Sequence, residues 1–337
     1  MKREATILAF AILAAMAVAS VLILVYGESP LHVYSVMLSR TWGDAYGVGQ
    51  VLFKSTPLVF TGLAVAMAFQ VGLFNIGGEG QLLVGSFASA LVGAALPAMV
   101  PAWFAIPMCV VAGAGAGAAL AFVPGVLKVR FHSHEVINTI MLNFISQALV
   151  LWAGRRFFFV AETVHTKLVL PAARVPSLGL SDSAANAAFL LALLAAVGCH
   201  WLLSRSRLGY QMRAVGKGAA AAETAGISLS RMILFAMALS GALAGMVGSS
   251  LVLGYKGYFE EGMGSGAGFM GIAVALLARS RPLGVIPAAL LFGTLSQGGL
   301  AANALVPKEI LDVLQAVVIL GVAVASAELR RSDRSFA

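Results

Sequence analysis

Residues 72–81, GLFNIGGEGQ, interrupt an apolar sequence with four glycines, Asn75, Glu79 and Gln81, and residues 262–271, GMGSGAGFMG, do the same in the second half of the chain. Glycine weakens a helix because it has the most backbone freedom to lose. In hydrocarbon, every backbone N–H and C=O must be satisfied by protein, so a broken segment there faces protein or a wet cavity, not lipid. Each interruption precedes a short apolar run, about 81–96 and 267–278, at matching places in the two halves. Such a pairing points to a transport pathway.

The rest of the chain agrees with a membrane setting. It is 60% hydrophobic and 11% charged over 337 residues, where a soluble domain carries about 25% charge. The net charge of +8 comes from basic residues in short gaps between apolar runs, with no basic domain interleaved with aromatics, so nucleic acid is excluded as a partner. Cys109 and Cys199 both lie within apolar runs and read as buried small hydrophobes.

Apolar runs predict about ten spans: 5–26, 50–71, 81–96, 102–123, 136–153, 186–204, 232–254, 267–278, 284–299 and 309–327. The first is too long for a signal-peptide core and long enough to span at 1.5 Å per residue. The third, eighth and ninth are short. With the N-terminus inside, cytoplasmic segments hold 14 of the 22 Lys and Arg residues, which places both termini in the cytoplasm. The long external loop 154–185 separates a first half, 1–153, from a second, 186–327, followed by a tail, 328–337. Five spans per half give opposite orientations. The expected fold is therefore a single all-α integral membrane domain of two inverted five-helix halves, with broken or short helices near 72–96 and 262–278. Gly113, Gly115 and Gly117 in the fourth span and Gly241 and Gly245 in the seventh read as helix-packing surfaces.

Several residues carry two readings at this level. Glu79 is costly at membrane depth, so it either braces the broken helix or contacts a solute; Asn75 and Gln81 share that choice. Asn138, Asn143 and Gln147 in the fifth span, and Ser296 and Gln297 in the ninth, either bond between helices or line the pathway. Phe74 and Phe269 either pack or stack on a planar solute. Glu260 and Glu261 read as solvated loop residues or contacts for an external partner. His132, His134 and Glu135 lack a further ligand cluster, so no metal site is expected. The inner loop 204–231 opens with Arg205 and Arg207 and contains an alanine-rich helix over 219–225 with a stop at Gly226. It is either a docking element or a surface helix on the headgroups.

The strings TPL (56–58), TGLAVA (61–66) and GLFNIGGEGQ (72–81) resemble permease subunits of bacterial ABC importers in the ribose and branched-chain amino acid superfamily, nearest its nucleoside (basic membrane protein) branch. EVINTIMLN (135–143), GYQMRAVG (209–216) with AGIS (225–228), and GIAVALLA (271–278) extend the similarity across about 50–325. His132-Ser133-His134 departs from the pattern, since relatives often have Asn before the Glu. The resemblance implies a subunit of the inner (plasma) membrane that pairs with a second permease subunit, related or identical. It further implies a cytoplasmic ATP-binding subunit and a periplasmic or lipid-anchored solute-binding protein. ATP and Mg would be bound by the partner subunits, with no cofactor in this chain. Arg213, Gly216, Ala222, Glu223, Ala225 and Gly226 fall in the loop that couples to the ATPase. Phe74, Asn75, Glu79, Gln81, Asn138, Asn143, Phe269 and Gln297 fall to the substrate pathway, and the solute is a nucleoside, purine-type favoured, or a simple sugar.

The expected function is thus ATP-driven import without chemistry on the substrate. An ion-coupled secondary transporter is the alternative, with Glu79 as its one strong ion-site residue. A membrane enzyme is disfavoured because the five histidines are scattered over different segments.

Overall fold

The computed structural model describes residues 2–307 and, except for 308, 311, 314 and 318, residues 309–321, with side chains from Leu13 onward. Among these residues the chain is helical, and its β pairing is limited to three isolated bridges. In chain order the helices are α1 (Lys2–Tyr26), α2 (Pro30–Trp42), α3 (Ala45–Phe69), α4 (Gly78–Ala95), α5 (Ala102–Phe131) and α6 (Glu135–Ala153). They continue with α7 (Ala188–Arg205), α8 (Arg207–Lys217), α9 (Ala219–Thr224), α10 (Leu229–Gly245), α11 (Ala267–Leu277) and α12 (Pro282–Ala302). π-Helical turns extend α6 over Gly154–Phe158 and follow α10 over Ser249–Lys256.

The protein is a multi-pass membrane protein. Among the described residues six helices are long and apolar enough to cross a bilayer: α3, α5, α6 and α10 with their extensions, α7 and α12. A seventh crossing arises if the bent pair of α1 and α2 counts as one broken span. The short runs behave differently from one another. α11 has 11 residues and α4 has 18, whereas α12 reaches 21 and is longer than the run 284–299 suggested. The described residues of 309–321 are helical, while the rest of the tenth run and the tail 328–337 lie outside the described residues.

One helix was not anticipated. α2 follows α1 at a 114° bend, starts at Pro30, where the missing N–H costs nothing, and buries Val33, Met37 and Thr41. That i, i+4, i+8 stripe packs on α12 and is too narrow to register as a span.

The core is organised around α3, buried along 83% of its apolar stretch against 22% for α5 and for α6. α5 and α6 leave most of their apolar surface uncovered within this subunit. α5 and α10 form the most extensive helix pair, and glycine is the reason. A Cβ on Gly245 would strike the Gly113 carbonyl, and one on Gly241 would strike that of Gly117. Gly85 of α4 enters the same contact. In lipid, close backbone approach gains dispersion contacts that side chains would block. Gly115 takes no part, since a Cβ there meets open space.

The loop 154–185 is strapped across one end of the bundle. Thr166, Val169 and Val175 donate their backbone N–H groups to the carbonyls of Phe259 (2.9 Å), Gly257 (2.8 Å) and Leu253 (3.0 Å), and Leu170 to that of Gly93 (2.8 Å).

Candidate functional site

Both glycine-rich stretches are breaks in helix. The chain is non-helical over 70–77 and 257–266, between α3 and α4 and between the π turn after α10 and α11. Gly72 (φ 76°) and Gly266 (φ 86°) take the left-handed conformation, which glycine adopts without a Cβ penalty. α4 and α11 then begin against one another. Gly268 sits so close that a Cβ there would run into the backbone of Gly78 and Glu79.

Glu79 joins the two starts. Its Oε1 accepts from the Gly266 N–H (2.6 Å) and its Oε2 from the Gly268 N–H (2.8 Å). The first N–H groups of a helix have no partner within it, and a helix N-terminus attracts negative charge. A carboxylate carried by α4 therefore satisfies the orphan donors of α11. The Thr61 hydroxyl of α3 adds a bond to the Ala267 carbonyl (2.9 Å).

The α4 break is braced by amides. Asn75 Nδ2 donates to Gln81 Oε1 (3.0 Å) and Ser240 Oγ (2.8 Å), while Asn75 Oδ1 accepts from Gln81 Nε2 (3.1 Å) and the Gly77 N–H (2.9 Å). Ser240 in turn donates to the Ala64 carbonyl (2.6 Å). Asn143 of α6 bridges the same turn, accepting from the Gly80 N–H (2.8 Å) and donating to the Ile76 carbonyl (3.0 Å). Buried polar groups without partners are costly, and this network pairs them across four helices and the break. Asn75 and Gln81, each 1% exposed, are bracing residues.

Beside this junction lies a cavity of about 200 Å³. Glu79 and Gly80 line it from α4, Asn143, Phe144 and Gln147 from α6, and Phe159 from the long loop. The segment before α11 supplies Phe259, Glu261 and Ser265, and α11 itself supplies Phe269. Aromatic faces with a few hydrogen-bonding groups suit a planar, polar, uncharged solute.

Of the residues given a pathway reading from sequence, Glu79, Asn143, Gln147 and Phe269 line the cavity. The others do not. Phe74 packs on Phe69 (ring centroids 4.9 Å apart), Asn138 donates to Ser133 Oγ (2.6 Å), and Gln297 lies half-buried on α12. Phe144, Phe159, Phe259, Glu261 and Ser265 come from segments whose convergence no spacing rule indicates. At the far end of α6, Glu135 pairs with Lys128 (2.7 Å). Among the described residues no group of three or more His, Cys, Asp or Glu is arranged to hold a metal ion.

The family described as the permease component of branched-chain amino acid transport systems matches residues 47–323. The chain belongs to this permease family. Among curated relatives, it is 39% identical to the guanosine ABC transporter permease protein of Bacillus subtilis over 93% of this chain and 91% of the relative. It is 34% identical to a nucleoside ABC transporter permease protein of Lactococcus lactis (90% and 86% covered). A glucose ABC transporter permease protein of Haloferax volcanii is 33% identical (92% and 84% covered). The protein is accordingly a transport subunit and not an enzyme.

In this permease the loop after α7 forms two short helices. Ser206 caps α8, its Oγ accepting from the Gly209 N–H (3.0 Å). α8 buries Met212 and Val215 and sets Gly216 against the Gln70 carbonyl, where a Cβ would not fit. Gln70 also donates through Nε2 to the Ser280 carbonyl (2.9 Å), so α8, the start of the first break and the turn after α11 meet at one point. α9 anchors Ala222 and leaves Glu223, Ala225 and Gly226 exposed, as Arg213 is on α8.

Proposed function

We propose that this permease moves nucleosides, purine-type first, across the bacterial inner membrane as the translocating subunit of an ATP-driven importer. The observation that carries the reading is the cavity where α4 and α11 meet, walled by phenylalanines and acceptors. It accompanies the high identity to permeases named for guanosine and nucleosides. A simple sugar is the second reading, favoured by the relative named for glucose. Three phenylalanines with accessible ring surface, Phe144, Phe159 and Phe269, rank the flat base above it.

In this reading ten spans form two inverted halves, and the N-terminus-to-N-terminus contact of α4 and α11 supports that arrangement. Both termini are cytoplasmic, with the basic loop 204–231 on the same side. The exposed Arg213, Glu223, Ala225 and Gly226 form the surface that receives a cytoplasmic ATP-binding subunit, and Gly216 on Gln70 passes its movement to the first break. A second permease subunit completes the membrane part, and a periplasmic or lipid-anchored solute-binding protein delivers solute over the loop 154–185. ATP and Mg stay on the ATP-binding subunits, and this chain holds no cofactor.

The test is guanosine uptake into proteoliposomes carrying the permease with its ATP-binding and solute-binding components. Uptake that requires enclosed ATP and survives collapse of ion gradients supports the proposal. Uptake that follows an ion gradient without ATP overturns the ATP-driven mechanism, and ATP-dependent uptake of glucose in place of guanosine overturns the solute.

A further inference from the structure

We infer that Glu261 is the specificity-determining residue of the cavity, accepting the paired 2′- and 3′-hydroxyls of a ribonucleoside; this rests on the nucleoside reading above. The cavity is lined by two carboxylates, Glu79 and Glu261, and by no Lys, Arg or His. The two are in different circumstances. Glu79 already accepts two backbone N–H groups and holds α11. Glu261 has its backbone fixed, its N–H donating to the Val164 carbonyl (3.1 Å), while its carboxylate has no partner among the described residues. The contrast with its neighbour is instructive. Glu260 is neutralised by an ion pair with Lys256 and sits in a bridge with His165, leaving Glu261 as the unpaired, solvent-exposed carboxylate at the edge of the cavity.

An exposed carboxylate at the edge of the cavity with no protein donor keeps both oxygens free to accept in parallel from a ligand that brings two adjacent donors. All ribonucleosides share one such pair whatever their base, the vicinal diol of the ribose. The same charge repels a phosphate, so the cavity takes the nucleoside and turns away the nucleotide. Phe144 and Phe269, both exposed, and the half-buried Phe159 offer ring faces to the base.

The experiment measures uptake of guanosine and of 2′,3′-dideoxyguanosine in proteoliposomes of the complete transporter. Each solute is supplied with saturated binding protein and rates are normalised to basal ATP hydrolysis. Taking the ratio of Glu261→Gln to wild type for each solute cancels the binding protein's own preference. Guanosine uptake should fall by roughly tenfold, the size of a lost charge-assisted hydrogen bond, while the dideoxy ratio stays near one. Glu261→Asp, which keeps the carboxylate, should restore part of the guanosine rate. Equal falls for both solutes, or no fall for either, would overturn the assignment while leaving nucleoside import intact. A wild-type transporter that imports neither solute would instead remove the nucleoside reading, and this inference with it.

Discussion

Replacing Glu79 by Gln isolates the contact on which the paired breaks depend. Each carboxylate oxygen accepts one N–H of the α11 start, at 2.6 and 2.8 Å. The amide keeps one acceptor and turns its NH2 toward the other donor. One charge-assisted hydrogen bond is lost, about 1.5–3 kcal/mol. The attraction between a negative charge and a helix N-terminus goes with it, about 0.3–1 kcal/mol. Removing a charge from membrane depth returns part of this, up to about 2.5–3.5 kcal/mol for a fully lipid-exposed position. Glu79 lines a cavity and already has two donors, so the returned share is the smaller one, and a net destabilisation of about 1–3 kcal/mol is expected. The assay is thermal unfolding of the purified permease in mild detergent, followed by loss of monodisperse protein, with uptake measured in parallel. Glu79→Gln and Glu79→Asp should both lower the midpoint, since the shorter Asp cannot span both donors. A wild-type midpoint combined with impaired uptake would refute the brace and make Glu79 a solute-contacting group.

Three further outcomes follow from the same packing. Gly245→Leu should abolish accumulation of folded permease, because the side chain would collide with the Gly113 backbone, whereas Gly115→Leu, facing open space, should accumulate normally; size-exclusion profiles of tagged protein report both. Asn143→Ala leaves the Gly80 N–H and the Ile76 carbonyl unpaired at about 1–3 kcal/mol per group, and should lower the unfolding midpoint more than Asn138→Ala, whose partner is the side chain of Ser133. Gly216→Val should push α8 off the Gln70 carbonyl, reducing solute-stimulated ATP hydrolysis by the assembled transporter while the permease remains in the membrane. Full stimulation in that variant would count against the contact as the coupling route.

Composition and the matched glycine interruptions were enough to settle that the chain lives in a membrane, that its helices pack through small residues, and that helix breaks fall within residues 72–81 and 262–271. These are properties of local sequence against a hydrocarbon solvent, where a run combining glycines with Asn, Glu or Ser is at a disadvantage as a lipid-facing helix. The helix of 219–224 and its stop at Gly226 (φ 80°) were legible for the same local reason. The roles of single polar residues were not. Asn75, Gln81 and Glu79 look alike in a linear string, yet the first two close an amide pair under Ser240 while the third caps a helix that begins 188 positions later, at Ala267. Glu260 has a local partner in Lys256, four residues back, but only the fold puts the cavity beside the adjacent Glu261. Which donor meets which acceptor depends on how distant segments converge, and that convergence is carried by side-chain packing across the whole bundle.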